Sequence, residues 1–168
     1  MFKVGDCVVY PLHGAGVIEA IEEREILGER HRYYIMRLPV GDMRVMIPTS
    51  AVQACGLRAV IPACQVDAVL EVLRAGATAM SGNWNHRYRE NADKLKSGDV
   101  FEVAEVVRNL SWRERERGLS TGERRMLDTA RQILISELAL AAGLDEHEAT
   151  RLVDRQLEGA GGEGAAQA

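Results

Sequence analysis

The sequence is short of cysteine, of aromatic residues and of long hydrophobic runs, and each shortage excludes something. Three cysteines, Cys7, Cys55 and Cys64, are an odd number with no C-x-x-C spacing. Neither a disulfide framework nor a cysteine-based zinc site is expected, and reduced thiols point to a cytoplasmic protein. No window approaches the roughly 18 apolar residues that a membrane helix needs. The opening MFKVGDC has no apolar run of signal-peptide length. Cations are not in excess either: 21 Lys+Arg stand against 25 Asp+Glu, net −4. That balance argues against a protein that coats nucleic acid by charge alone.

What is present is enough to fold. The hydrophobic fraction is 46 %, ordinary for a chain with a packed core. Charge is unevenly spread. Residues 82–125 hold 10 Lys+Arg and 8 Asp+Glu, while residues 126–168 hold 3 and 8. Positive charge therefore gathers in the middle and the end of the chain repels phosphate, a pattern suited to weak, local contact with nucleic acid.

The first third reads as strands. Residues 4–10 are β-branched and aromatic and stop at Pro11; residues 16–26, 31–38 and 43–47 follow, separated by turns at His13–Gly16, Gly28 and Gly41-Asp42. Four or five short strands with tight turns predict a small, curved antiparallel barrel. After Gly56 the apolar period changes to 3.6. Helices are expected from Pro62 (Val66, Val69, Leu70 and Leu73 inward), over 83–96, over 99–117 (Val100, Val103, Ala104, Val107 and Leu110 inward), from a Ser120-x-x-Glu123 capping box to about Ala142, and over 145–158. The fold class is thus α+β: a β domain over 1–56, an all-α domain over 61–158, and a low-complexity tail over 159–168 expected to be disordered.

One stretch organises the chain. Residues 82–97 read GNWNHRYRENADKLKS and hold Trp84, one of only two tryptophans. Asn83 suits an N-cap, which places Trp84 in the first turn of a helix at its exposed tip. His86, Arg87, Tyr88 and Arg89 follow directly, and Tyr88 shares the face of Trp84. A large ring at a helix tip backed by cations suits insertion into nucleic acid. Trp112, beside Arg113 and Arg115, is the other tryptophan and is expected to pack within the helical half.

Residues 2–18, reading F-K-V-G-D-C-V-V-Y-P-L-H-G-A-G-V-I, resemble the opening of the bacterial CarD family, a module shared with the polymerase-interacting domain of the transcription-repair coupling factor. The helical half carries the resemblance onward: Asn83-Trp84 with its basic run, K-L-K-S-G-D at 94–99, V-A-E-V-V-R-N-L at 103–110, E-R-G-L-S-T-G-E-R-R-M-L at 116–127 and A-R-Q-I-L-I-S-E-L-A-L at 130–140. The likeness covers about residues 1–158. It implies a Tudor-like β-barrel that binds the lobe of the RNA polymerase β subunit, and a helical domain that reaches promoter DNA at the upstream edge of the bubble. A global transcription regulator follows, which stabilises the open complex by wedging Trp84 into the minor groove with little base-specific readout. It implies polymerase contact at Arg24 and Ile26, and at Arg44 and Met46, where Met46 stands in place of the basic residue of some members and Arg44 on the same strand face substitutes. It implies phosphate contact at Arg87, Arg89 and Arg124, and at His86, where members often carry a permanent cation. No enzyme activity, cofactor or metal is expected, and the protein is expected to act as a monomer.

Three other readings compete. Gly118-Leu119-Ser120-Thr121-Gly122 fits G-x-S-x-G, with Asp145 and His147 following, but a nucleophile elbow needs a preceding strand and here a charged helix precedes. A sequence-specific repressor lacks a recognition helix in a helix-turn-helix setting. The remaining alternative is a protein–protein adaptor on the polymerase without direct DNA contact.

Overall fold

The computed structural model describes residues 1–160; the expected disordered tail lies outside them from residue 161 on. Its first two residues belong to the last helix instead, which runs Glu146–Ala160. The fold class is α+β.

Five antiparallel strands, β1 (Cys7–Tyr10), β2 (Gly14–Ile26), β3 (Glu29–Leu38), β4 (Met43–Pro48) and β5 (Arg58–Ala59), form one sheet in the order β4-β3-β2-β1-β5. A register shift between Ile18 and Ala20 bends β2 against β3, as an inserted residue does. One sheet face closes on Val8, Ile18, Tyr34, Met36, Leu38, Ile47 and Leu57. The sheet does not end at Gly56, where the sequence pattern placed its limit. A one-turn helix α1 (Val52–Cys55) leads through Gly56 to β5, which pairs with Val8 and Val9 of β1. Two paired residues leave no period to read.

The helical half comprises α2 (Val66–Arg74), α3 (Trp84–Lys96), α4 (Val100–Arg117), α5 (Thr121–Ala142) and α6 (Glu146–Ala160). The apolar stripes anticipated for α2 and α4 are all buried. Asn83, Asp99 and Ser120 each cap a helix with a side-chain oxygen. These stripes, with Ile133, Leu134 and Leu138 of α5 and Ala149, Val153 and Leu157 of α6, form a second, larger core.

The halves meet along α5. Val9 and Ala15 are opposite one another in β1 and β2 and buried, on the side of β1 away from Val8, since successive side chains alternate. Here the Ala15 N–H donates to Ser136 Oγ at 2.8 Å. Gly14, at φ +111°, leaves no room for a side chain: a Cβ there would lie 2.9 Å from that same oxygen. One residue further along α5, Glu137 accepts both terminal nitrogens of Arg58 at 2.7 Å and the Ile61 N–H at 3.0 Å.

Candidate nucleic-acid interface

α3 begins where the sequence placed it. The Asn83 Oδ1 accepts the His86 N–H at 3.1 Å, and Trp84 is the first helical residue. Trp84 is 42 % exposed. Its ring stacks on Tyr88 with centroids 5.0 Å apart and planes 20° from parallel. Its edge lies over Gly122, where a Cβ would sit 3.4 Å from Cζ2.

The indole is also held by its nitrogen. Trp84 Nε1–H donates to Ser120 Oγ at 2.9 Å. That hydroxyl caps α5 by accepting the Glu123 N–H at 3.2 Å and donates its own proton toward Glu123 Oε1 at 3.3 Å. One donor and two lone pairs are then all used. Glu123 is buried and receives Arg87 through Nε at 2.8 Å and Nη2 at 3.0 Å. Arg87 Nη1 donates to the Ser81 carbonyl at 3.0 Å. A chain of polar contacts thus runs from the loop before α3, through a buried ion pair, to the capping serine and the ring. The two hydrogen bonds from Arg87 hold the Glu123 carboxyl below the ordinary carboxylate range, outweighing burial, and Glu123 raises Arg87 in return.

This corrects one expectation. Arg87 is 2 % exposed and its guanidinium is spent on Glu123, so it does not present itself to phosphate. It shares the inward face of α3 with Asn91 and Leu95, at the i, i+4 spacing of a helical stripe. The other expected cations are on the surface. Arg89 is exposed, with no ion pair among the described residues. Arg124 is exposed and 3.9 Å from Glu114. His86 is exposed, its Nδ1 3.4 Å from Glu90 one turn on. Lys94 is engaged by Glu105 at 3.0 Å.

The loop before Trp84 is anchored on α4. Asn109 Oδ1 accepts the Thr78 N–H at 3.1 Å, and Asn109 Nδ2 donates to Thr78 Oγ1 at 2.9 Å. Arg108 donates to the Val72 carbonyl at 3.0 Å. Trp112 is half-buried, and its indole N–H has no acceptor among the described residues.

The four residues expected to meet polymerase share one face of the sheet, on two different strands. β4 stops pairing at Pro48, opposite Tyr33, while the β2–β3 hairpin continues to Ile26 opposite Glu29. Arg24 and Ile26 lie on that extension, both exposed, with Arg24 3.1 Å from Glu22. Arg44 and Met46 lie on β4, the sheet edge, where Arg44 meets Glu19 at 3.1 Å. Leu27, fully exposed at the hairpin tip, was not singled out from the sequence. Nor were the roles of Ser120 and Glu123 at Trp84, although their capping box was visible; the missing signal was a partner 36 residues earlier.

A curved antiparallel sheet joined to a helical bundle that displays a braced aromatic defines a two-module α+β protein. Family comparison identifies it. The model described as "CarD-like/TRCF RID domain" matches residues 2–61 and that described as "CarD, C-terminal domain" matches residues 68–154. A Bacillus subtilis (strain 168) protein described as "Putative transcription factor YdeB" is 42 % identical over 148 residues, covering 88 % of this chain and 97 % of its own. The chain belongs to the CarD family of transcription factors, and its β module is Tudor-like. None of the helices described is long and apolar enough to cross a membrane.

Proposed function

We propose that the protein binds the RNA polymerase β subunit through its β module and stabilises the promoter open complex by inserting Trp84 into the minor groove at the upstream edge of the bubble. The observation that carries this reading is the state of the indole. Its nitrogen is satisfied, one face is stacked, and the ring still stands 42 % exposed at a helix tip. A ring with a free N–H would carry a desolvation cost into an apolar gap; this one does not. Arg89, Arg124 and, when protonated, His86 serve as the phosphate contacts, all three exposed.

Opening a duplex unstacks bases at a cost of a few kcal/mol per step, which an inserted ring offsets only in the distorted state. Stacking by one aromatic is worth about 1–3 kcal/mol, and about 1.4 kcal/mol is tenfold. Trp84 therefore shifts the open–closed balance by severalfold to about a hundredfold. Docking supplies the affinity that the net-acidic chain lacks, by raising the effective concentration of the helical half at the fork. β4 supports the docking part: it is an edge strand with Met43 and Met46 exposed, a surface that a partner strand can extend.

The second reading, an adaptor that grips only protein, gains some support from the few free cations around Trp84. Salt separates the two. Fork-DNA binding through two or three cations weakens with a log–log slope of about −2 to −3, and Trp84→Ala removes the preference for a fork over a blunt duplex. Binding insensitive to salt and to Trp84→Ala rejects direct DNA contact.

A further inference from the structure

We infer that Ser136, Glu137 and Arg58 are positioning residues, which make α5 a ruler of fixed length between the sheet and the Trp84 ring. The inference rests on the wedge reading above and adds what sets its reach.

α5 is one uninterrupted helix of 22 residues. At its start, Ser120 holds the indole nitrogen and Gly122 lies under the ring. About sixteen residues later, or roughly 24 Å at 1.5 Å per residue, Ser136 and Glu137 hold the sheet. Ser136 grips the Ala15 backbone on β2, and β2 carries β3 and β4 in register to the proposed docking edge. Glu137 grips β5 through Arg58 and the segment after it through Ile61. Arg58 Nε donates its single proton to the Gly98 carbonyl at 2.7 Å, between α3 and α4. Edge and ring are thereby attached to the same rod at points roughly 24 Å apart.

The joint is polar where an apolar one would hold the halves together equally well. Ser136 and Glu137 are 4 % and 1 % exposed, and burying them is costly unless their polar atoms find partners. Each of those atoms has at least one. An apolar seam can slide; a bidentate pair, a backbone N–H clamped on a hydroxyl, and a Gly14 that admits no Cβ allow one arrangement. Tethering raises local concentration only where both contacts can be met together, so one arrangement is what a wedge delivered from a distance requires.

The test uses the full chain with Ser136→Ala/Glu137→Gln, with Arg58→Lys as a milder variant that keeps the charge and loses the fork, and with Val153→Ala as a core truncation that leaves the joint's hydrogen-bonding groups in place. Residual dipolar couplings of the free protein report whether the halves align as one body. Binding to the isolated β lobe and the lifetime of open complexes complete the set. The expected result is that the joint variants lose common alignment, bind the lobe within about twofold of wild type, and extend the open-complex lifetime roughly tenfold less, whereas Val153→Ala leaves alignment and lifetime intact. Lifetimes unchanged despite lost alignment overturn the inference, and so does alignment retained in both joint variants. Because alignment is read without polymerase, a failure there is distinct from a failure of the wedge reading, which shows as Trp84→Ala extending lifetimes like wild type.

Discussion

Two arginine–glutamate pairs are made by α5, one in its first turn at Glu123 and one far along it at Glu137, and they differ in their access to water. In Arg87–Glu123 both side chains are 3 % exposed. In Arg58–Glu137 the glutamate is 1 % exposed but the arginine 30 %. The first pair is sealed inside the helical half under the aromatic; the second opens to solvent at the joint between modules. A sealed pair has no second choice when one partner is lost, because the survivor is a charge stranded in a low dielectric. An open pair can turn its arginine toward water. The same chemistry therefore serves as a sealed brace in one place and as a solvent-reached clasp between the modules in the other.

The sharpest way to break the comparison is to remove one partner from each pair. Arg87→Ala strands Glu123 and is expected to cost about 3–5 kcal/mol, read as a shift in denaturant midpoint at unchanged slope. Acrylamide quenching of tryptophan emission should rise with it, as Ser120 and the indole loosen. Glu137→Gln is expected to cost less, about 1–3 kcal/mol, because Arg58 can rehydrate. Equal losses would show that solvent access does not distinguish the pairs.

Acid sharpens the contrast. The Glu123 carboxyl is held below its ordinary value near 4.5, first by the hydrogen bonds from Arg87. The folded state then binds fewer protons than the unfolded one, so this contribution is complete above about pH 4.5 and is lost as pH falls through the depressed folded value. Stability of the wild type should fall more steeply below pH 4.5 than that of Glu123→Gln. Parallel acid limbs would contradict the brace.

Smaller effects test the ring's seat. Gly122→Ala places a methyl at 3.4 Å from Trp84 Cζ2 and 3.7 Å from Tyr88 Cε2, ordinary contact distances, and removes a glycine from the first turn of α5. A gain of about 0.5–1 kcal/mol is expected, with the indole less accessible to quencher; a loss would mean that the seat is already full. Arg89→Ala touches no partner among the described residues, so stability should stay within about 0.5 kcal/mol while fork-DNA binding weakens.

The sequence disclosed periodic and local features and concealed distant pairings. Apolar stripes on α2 and α4, the Asn83 cap and the Ser120–Glu123 capping box depend on spacings of three or four residues, and each was legible. Arg87 is not legible as an inward residue, because a list of neighbouring cations does not say which one faces inward. Its alignment with Asn91 and Leu95 was a usable hint, but a buried guanidinium needs a carboxylate, and that lay 36 residues away in Glu123. The β5 strand escaped for a related reason: Arg58 and Ala59 pair with β1 across some fifty residues, too few positions to show alternation. The tryptophan is legible at its helix tip; the serine that holds its nitrogen is legible only as a cap.

The central claim is that Trp84 is held ready to act outside the protein, not to pack within it. The most direct measurement is the lifetime of promoter open complexes formed with the cognate polymerase under a heparin challenge, with wild-type protein and with Trp84→Ala. The account predicts that wild type prolongs the lifetime severalfold or more and that Trp84→Ala abolishes this while β-lobe binding survives. Equal lifetimes with both proteins would contradict it and leave Trp84 a structural residue.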